Sequence, residues 1–159
     1  MSQNFWKYKE FSNGGCIEIM NGYVKKSDHK DLISIATYFA KNGHKVHIPT
    51  AVHYKDDRYK QVFGDLIDTV YERKCPDLII DGKFYEYESY TPPFRSGKMA
   101  NMISHSIKQS NRIIINNNKG CTDRFVINNI GRRLHDKSFS KYSIEEVWVY
   151  EKGKVRRLW

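Results

Sequence analysis

The chain has 159 residues, of which 40% are hydrophobic and 14% aromatic, and its formal net charge is +9. That length favours one domain, and that apolar share is enough for a compact core and argues against a disordered chain. The positive balance points to an anionic partner, nucleic acid before an acidic membrane surface.

Residues 1–13 are polar with scattered aromatics and carry little signal. They lack the apolar core of a signal peptide, and no apolar run in the chain is long enough to span a membrane. A cytoplasmic protein without a membrane partner is expected. Cys16, Cys75 and Cys121 are odd in number and widely spaced, which supports neither a zinc knuckle nor a disulfide framework. Gly14-Gly15 breaks the chain, Cys16-Ile17-Glu18-Ile19 reads as a short strand, and Asn21-Gly22 reads as a turn. Ser27 and Asp28 offer capping side chains to a helix. Leu32, Ile35, Ala36, Phe39 and Ala40 then recur at helical spacing, and Asn42-Gly43 closes the helix. Residues 44–49 alternate as a strand. Residues 50–60 read as a charged loop, and Phe63, Leu66, Ile67 and Val70 predict a short helix containing Gly64.

Next comes Cys75-Pro76-Asp77, the apolar run Leu78-Ile79-Ile80, the dipeptide Asp81-Gly82, and the alternating Lys83-Phe84-Tyr85-Glu86-Tyr87-Glu88. Asp-Gly suits positive φ and is a strong hairpin signal. A two-residue loop pairs Ile80 with Lys83 and Asp77 with Glu86, whereas a four-residue loop pairs Asp77 with Glu88. Side chains alternate faces along a strand, so both registers put Asp77, Glu86 and Glu88 on one face. Two carboxylates about 4 Å apart repel by roughly 4 kcal/mol at an effective dielectric near 20. A divalent metal, a shared proton, basic neighbours or plain solvation would each relieve that repulsion.

Thr91-Pro92-Pro93 ends the sheet, and residues 96–109 read as a helix. Met99, Ala100, Ile103 and Ile107 share one side of it, while Lys98, Asn101, His105, Lys108 and Gln109 share the other. Arg95 precedes this helix, Arg112 follows it, and no acid occurs from Thr91 to Asn118. Such a face suits phosphates as well as solvent. Residues 112–116 read as a buried strand, which makes a strand–helix–strand crossover. Thr122 or Asp123 caps a further helix, and residues 145–150 and 154–159 flank a final hairpin turn. No repeat or linker interrupts residues 1–159, so one domain is expected. Its element order predicts an α/β fold with a central mixed β-sheet flanked by helices.

Pro76-Asp77, the hairpin and Glu86-X-Glu88 resemble the PD-(D/E)XK nuclease superfamily. Within it, the chain is most similar to the tRNA-nuclease domains at the C-termini of contact-dependent-inhibition toxins and to related phage or mobile-element domains. The resemblance runs from about Asp28 to the C-terminal strands. It implies a restriction-endonuclease-like core and metal-dependent hydrolysis of nucleic acid, RNA or DNA, with tRNA among the substrates. It also implies a protein partner of the immunity or mobile-element kind. Asp77 and Glu86 match the family's ligands for Mg²⁺ or Mn²⁺, and the first helix offers Asp31 or Asp28, Asp31 matching the family position better. Where the family has a catalytic lysine, this chain has Glu88, which then acts as a further ligand or as a base. Lys98 is the first substitute for that lysine and Lys83 the second, with His105 a candidate acid. Arg95, Lys98, His105, Lys108 and Arg112 are the expected nucleic-acid contacts. Glu88 in the lysine's place also supports a binding module without hydrolysis, and a structural or adaptor protein is a third reading.

Overall fold

Strand β1 (Phe5–Glu10) forms in a stretch where the sequence pattern is weak, and it pairs antiparallel with β2 (Cys16–Met20). The structure, a computed structural model, describes residues 2–159. Its eight strands pair in both senses and its four α-helices complete an α/β chain, among the described residues. Two compact units divide it, Met1–Tyr85 and Glu86–Trp159.

In the first unit, β2 runs parallel to β3 (Lys45–Ile48), and helix α1 (His29–Lys41) connects them. The buried residues of α1 are Leu32, Ile35, Ala36, Phe39 and Ala40, the stripe that helical spacing marks out. Asn42 ends the helix and Gly43 follows at φ 89°, the left-handed position that glycine supplies without strain. Gly15 has a different reason to lack a side chain. A Cβ there would lie 1.8 Å from the Ala40 carbonyl oxygen, so the backbone entering β2 touches the last turn of α1.

The short helix is displaced from its predicted place. It is α2 (Asp57–Phe63), followed by one 3-10 turn at Gly64–Leu66, and residues 57–60 are therefore helix rather than loop. The Asp56 carboxylate fixes its start by accepting from the Arg58 amide at 2.9 Å. Asp68 and Arg73 adopt φ 66° and 71°, which no α-helix tolerates, and Val70 is exposed. Strand β4 (Leu78–Ile80) then pairs antiparallel with β3 and with β5 (Lys83–Glu88).

Residues 86–88 of β5 open the second unit and pair parallel with β6 (Arg112–Asn116), across helix α3 (Ser96–Ile107). Strand β6 is parallel to β7 (Glu146–Glu151), which turns back into β8 (Lys154–Arg157). The turn is Lys152-Gly153, both at positive φ, as a two-residue hairpin requires. Helix α4 (Asp123–Leu134) starts at Thr122, whose hydroxyl accepts from the Phe125 amide at 3.2 Å. Met99, Ile103 and Ile107 of α3 and Val126 and Ile130 of α4 pack with Ile113, Ile115, Val147 and Val149 in one core. Each fully buried side chain of this kind stabilises the fold by about 1.5–3 kcal/mol. Among the described residues, no helix is long and apolar enough to cross a membrane.

Candidate functional site

The hairpin adopts the two-residue register: Ile80 faces Lys83, Ile79 faces Phe84 and Leu78 faces Tyr85. Asp81 and Gly82 carry φ 49° and 79°. The Asp81 carboxylate accepts from the Lys45 amide at 3.0 Å and meets His44 Nδ1 at 2.6 Å, while its own amide donates to the Lys45 carbonyl at 2.9 Å. Burial alone would raise the pKa of Asp81, but His44 and the Lys45 amide together hold it below the usual carboxylate range. The turn is thus tied to the start of β3. Lys83 lies exposed at its end.

Asp77 stands just before the β4 ladder. Its charge is felt within the first unit by Asp28, whose carboxyl is raised first by burial, then by Asp77, then by Asp31. Burial, Asp77 and Asp28 likewise push up the Tyr23 phenol. Asp28 sits at the N-cap position of α1 without making a side-chain cap bond, so its carboxylate is not spent on the helix end. Among the described residues, no three His, Cys, Asp or Glu side chains are grouped to hold a metal ion.

In the second unit, the parallel register sets Glu86 beside Ile113 and Glu88 beside Ile115. Residues side by side in a ladder share a face. Glu86 and Glu88 therefore project to the face that packs under α3, and Tyr87 projects to the other. There Asn116 Nδ2 donates to the Tyr87 hydroxyl at 2.9 Å, and Tyr150 meets the Tyr87 ring edge-on at 6.0 Å. Glu86 is buried, and Glu88, at the strand end, is partly open.

Glu88, Thr91, Lys98, Asn101, Met102 and His105 line an open groove of about 270 Å³. His105 Nδ1 lies 3.3 Å from Glu88 Oε1, and the Lys98 ammonium donates to the Thr91 carbonyl. The groove thus holds a carboxylate, an imidazole and a tethered cation on one wall system, enough to accept a proton, return one and neutralise an anionic oxygen. Arg95 is exposed just before α3, and Lys108 is exposed just after it, with its ammonium 5.2 Å from the Phe139 ring centre.

Arg112, an expected phosphate contact, is paired with two carboxylates. Its guanidinium donates to Glu146 at 2.8 Å and also to Glu145, and its side chain is 16% exposed. Two carboxylates and the Asn111 amide oxygen take three of its five N–H donors. Local spacing does not reveal this pairing, because Glu146 is 34 residues away.

A second groove, in the first unit, falls outside the expected site. Trp6, Tyr8, Tyr23 and His29 line it, the first two from a segment whose pattern is weak. The period-two spacing of Trp6 and Tyr8 is the one signal that marks it. No family model, curated protein or solved structure matches this chain.

Proposed function

We propose that the chain is a metal-dependent nuclease with a restriction-endonuclease-like core, hydrolysing phosphodiester bonds of RNA or DNA. The observation that carries this reading is the shared groove of Glu88, Lys98 and His105. It supplies from three positions the groups that phosphoryl hydrolysis needs, including a lysine to replace the one missing at Glu88.

The donor set suits a hard cation. Glu86 and Glu88 project from one face of one strand, and Mg²⁺ is commonly held through one or two carboxylates plus substrate phosphates, without a full protein cage. A bound Mg²⁺ or Mn²⁺ supplies Lewis-acid polarisation and counter-charge for phosphoryl oxygens. Lys98 neutralises a phosphoryl oxygen from its tethered position. Glu88 accepts a proton from the attacking water as the new O–P bond forms. His105, in its protonated form, gives a proton to the leaving oxygen as the old O–P bond breaks.

The test is incubation of the purified chain with tRNA, single-stranded DNA and duplex DNA, with Mg²⁺, Mn²⁺ or EDTA. Metal-dependent cleavage that disappears in Glu88→Gln and in Lys98→Ala is the expected result. Asp77→Asn and Asp31→Asn, the first-unit acids that the resemblance assigns to the metal, belong in the same assay. Absence of cleavage on every substrate would overturn the reading. Binding without cleavage would establish the second one, a nucleic-acid-binding module without hydrolysis. That alternative is favoured by Glu88 at the family's lysine position and by the bond that ties the Lys98 ammonium to Thr91.

A further inference from the structure

We infer that the groove of Trp6, Tyr8 and Tyr23 binds an unpaired base of single-stranded nucleic acid. The inference rests on the proposed substrate class and not on hydrolysis. Trp6 and Tyr8 are 48% and 45% exposed, and their rings stand edge to face with centres 6.0 Å apart. One exposed aromatic is ordinary, but two joined across a concave site mark a place of contact. The groove holds about 310 Å³, at the lower end of the range for small-ligand sites.

Its walls give the occupant's chemistry. Ile19, directly across the ladder from Trp6, closes the floor. Tyr23 is held by its hydroxyl, 3.0 Å from His29 Nδ1. Lys25 at the rim supplies positive charge in a chain of net +9. Aromatic faces beside a cation are how single strands are held without reading their sequence.

The backbone edge of β1 argues against a second copy or a peptide adding as a strand. It carries Lys7 and Lys9, and the register breaks between them. Lysines and bulges blunt a sheet edge. The occupant therefore meets side chains. At its far wall the groove reaches Tyr23.

The experiment is fluorescence anisotropy of labelled short single strands, RNA and DNA, and of a duplex of the same sequence. It uses the full chain in EDTA, so that cleavage does not interfere. Trp6→Ala and Tyr8→Ala are each expected to weaken single-strand binding about five- to hundred-fold. Duplex binding and the melting temperature should stay unchanged, and Trp6→Phe should retain most of the affinity. Wild-type protein that binds no single strand would overturn the inference. So would variants that bind single strands as the wild type does, or a loss equal for single strand and duplex. Conversion of a dimer to a monomer by Trp6→Ala, with single-strand affinity intact, would assign the groove to self-association instead. A selective loss in Trp6→Ala from a chain that cuts nothing keeps this inference and removes the nuclease reading. Cleavage that persists with unchanged single-strand binding in Trp6→Ala does the reverse.

Discussion

Glu88 Oε1 and His105 Nδ1 lie 3.3 Å apart, one at the end of β5 and the other near the end of α3. Two independent periodicities bring them together. The pleat turns Glu88 to the face shared with Ile115, and the helical phase that buries Met99 and Ile103 leaves His105 at the groove. Glu88→Gln and His105→Ala are each expected to reduce metal-dependent cleavage by about 10²–10⁴-fold, the usual contribution of a positioned acid or base. His105 is 77% exposed, so its loss should change stability by no more than about 0.5 kcal/mol. Single-turnover rates together with urea melts separate the two effects. A cleavage rate unchanged in both variants would remove the pair from the chemistry.

Arg112 and the two exposed cations flanking α3 should behave in opposite ways. Replacing Arg95 and Lys108 together by Ala is expected to flatten the salt dependence of nucleic-acid binding by about two units, if each meets one phosphate. Arg112→Ala should leave that slope alone and destabilise the second unit by about 1.5–3 kcal/mol, because the largely buried Glu146 loses its hydrogen bond from Arg112 while keeping Trp148 Nε1 at 3.0 Å and Arg157 at 3.9 Å. Salt titrations and chemical denaturation on the same proteins decide the matter.

Asp28 should make the fold less stable as the medium becomes less acidic. Its folded-state carboxyl is raised by burial and then by Asp77 and Asp31, so the native state binds the proton more tightly than the unfolded state. Stability is full below the ordinary carboxylate pKa and declines as pH rises through the raised one. Asp28→Asn should therefore raise the melting temperature at neutral pH, with the gain vanishing in acid. Asp77→Asn should move the Asp28 titration, followed by carboxyl-carbon NMR, part of the way back. An unmoved Asp28 titration would mean that Asp77 does not act on it.

Asp81 carries the reverse sign. Its folded-state pKa is lowered against the pull of burial, chiefly by His44 and the Lys45 amide. Its contribution is present above the ordinary carboxylate pKa and is lost as pH falls toward the lowered one. Asp81→Asn, which tolerates the same positive φ, should be less stable than the parent at neutral pH and equal to it in strong acid. Parallel curves over the whole pH range would refute the assignment.

Gly15→Ala should cost about 1–3 kcal/mol, since a methyl at 1.8 Å from the Ala40 carbonyl forces the strand entry away from α1. Gly64→Ala meets nothing within 4 Å and serves as the contrast in the same melt.

Where one face of a single element decided the structure, local spacing was enough to read it. The stripe on α1, the Asp81-Gly82 turn and the buried side of α3 are of this kind. Strand β1 is hard to read because five of its six residues are exposed, leaving only the Trp6–Tyr8 pair as a period-two signal. The second helix was misplaced because its limits are set by the Asp56 cap and by positive φ at Asp68, which apolar spacing does not register. At the candidate site, the closeness of Glu88 and Lys98 followed from the short Thr91-Pro92-Pro93 connection. The capture of Arg112 by Glu145 and Glu146 depends on β7 lying beside β6, which no local pattern contains.

The anchored Asp81 turn also dictates how the hairpin answers to insertions and deletions. It fixes the phase of β5 upstream of the acids, and a slip of one residue along a strand exchanges its two faces. Adding or removing one residue between Gly82 and Glu86 would send Tyr87 under α3 and put Glu86 and Glu88 on the face of Asn116 and Tyr150. Adding or removing two would restore the original alternation, at the expense of length alone. The chain's tolerance at this segment should therefore follow odd and even counts, with length change a weaker determinant than phase.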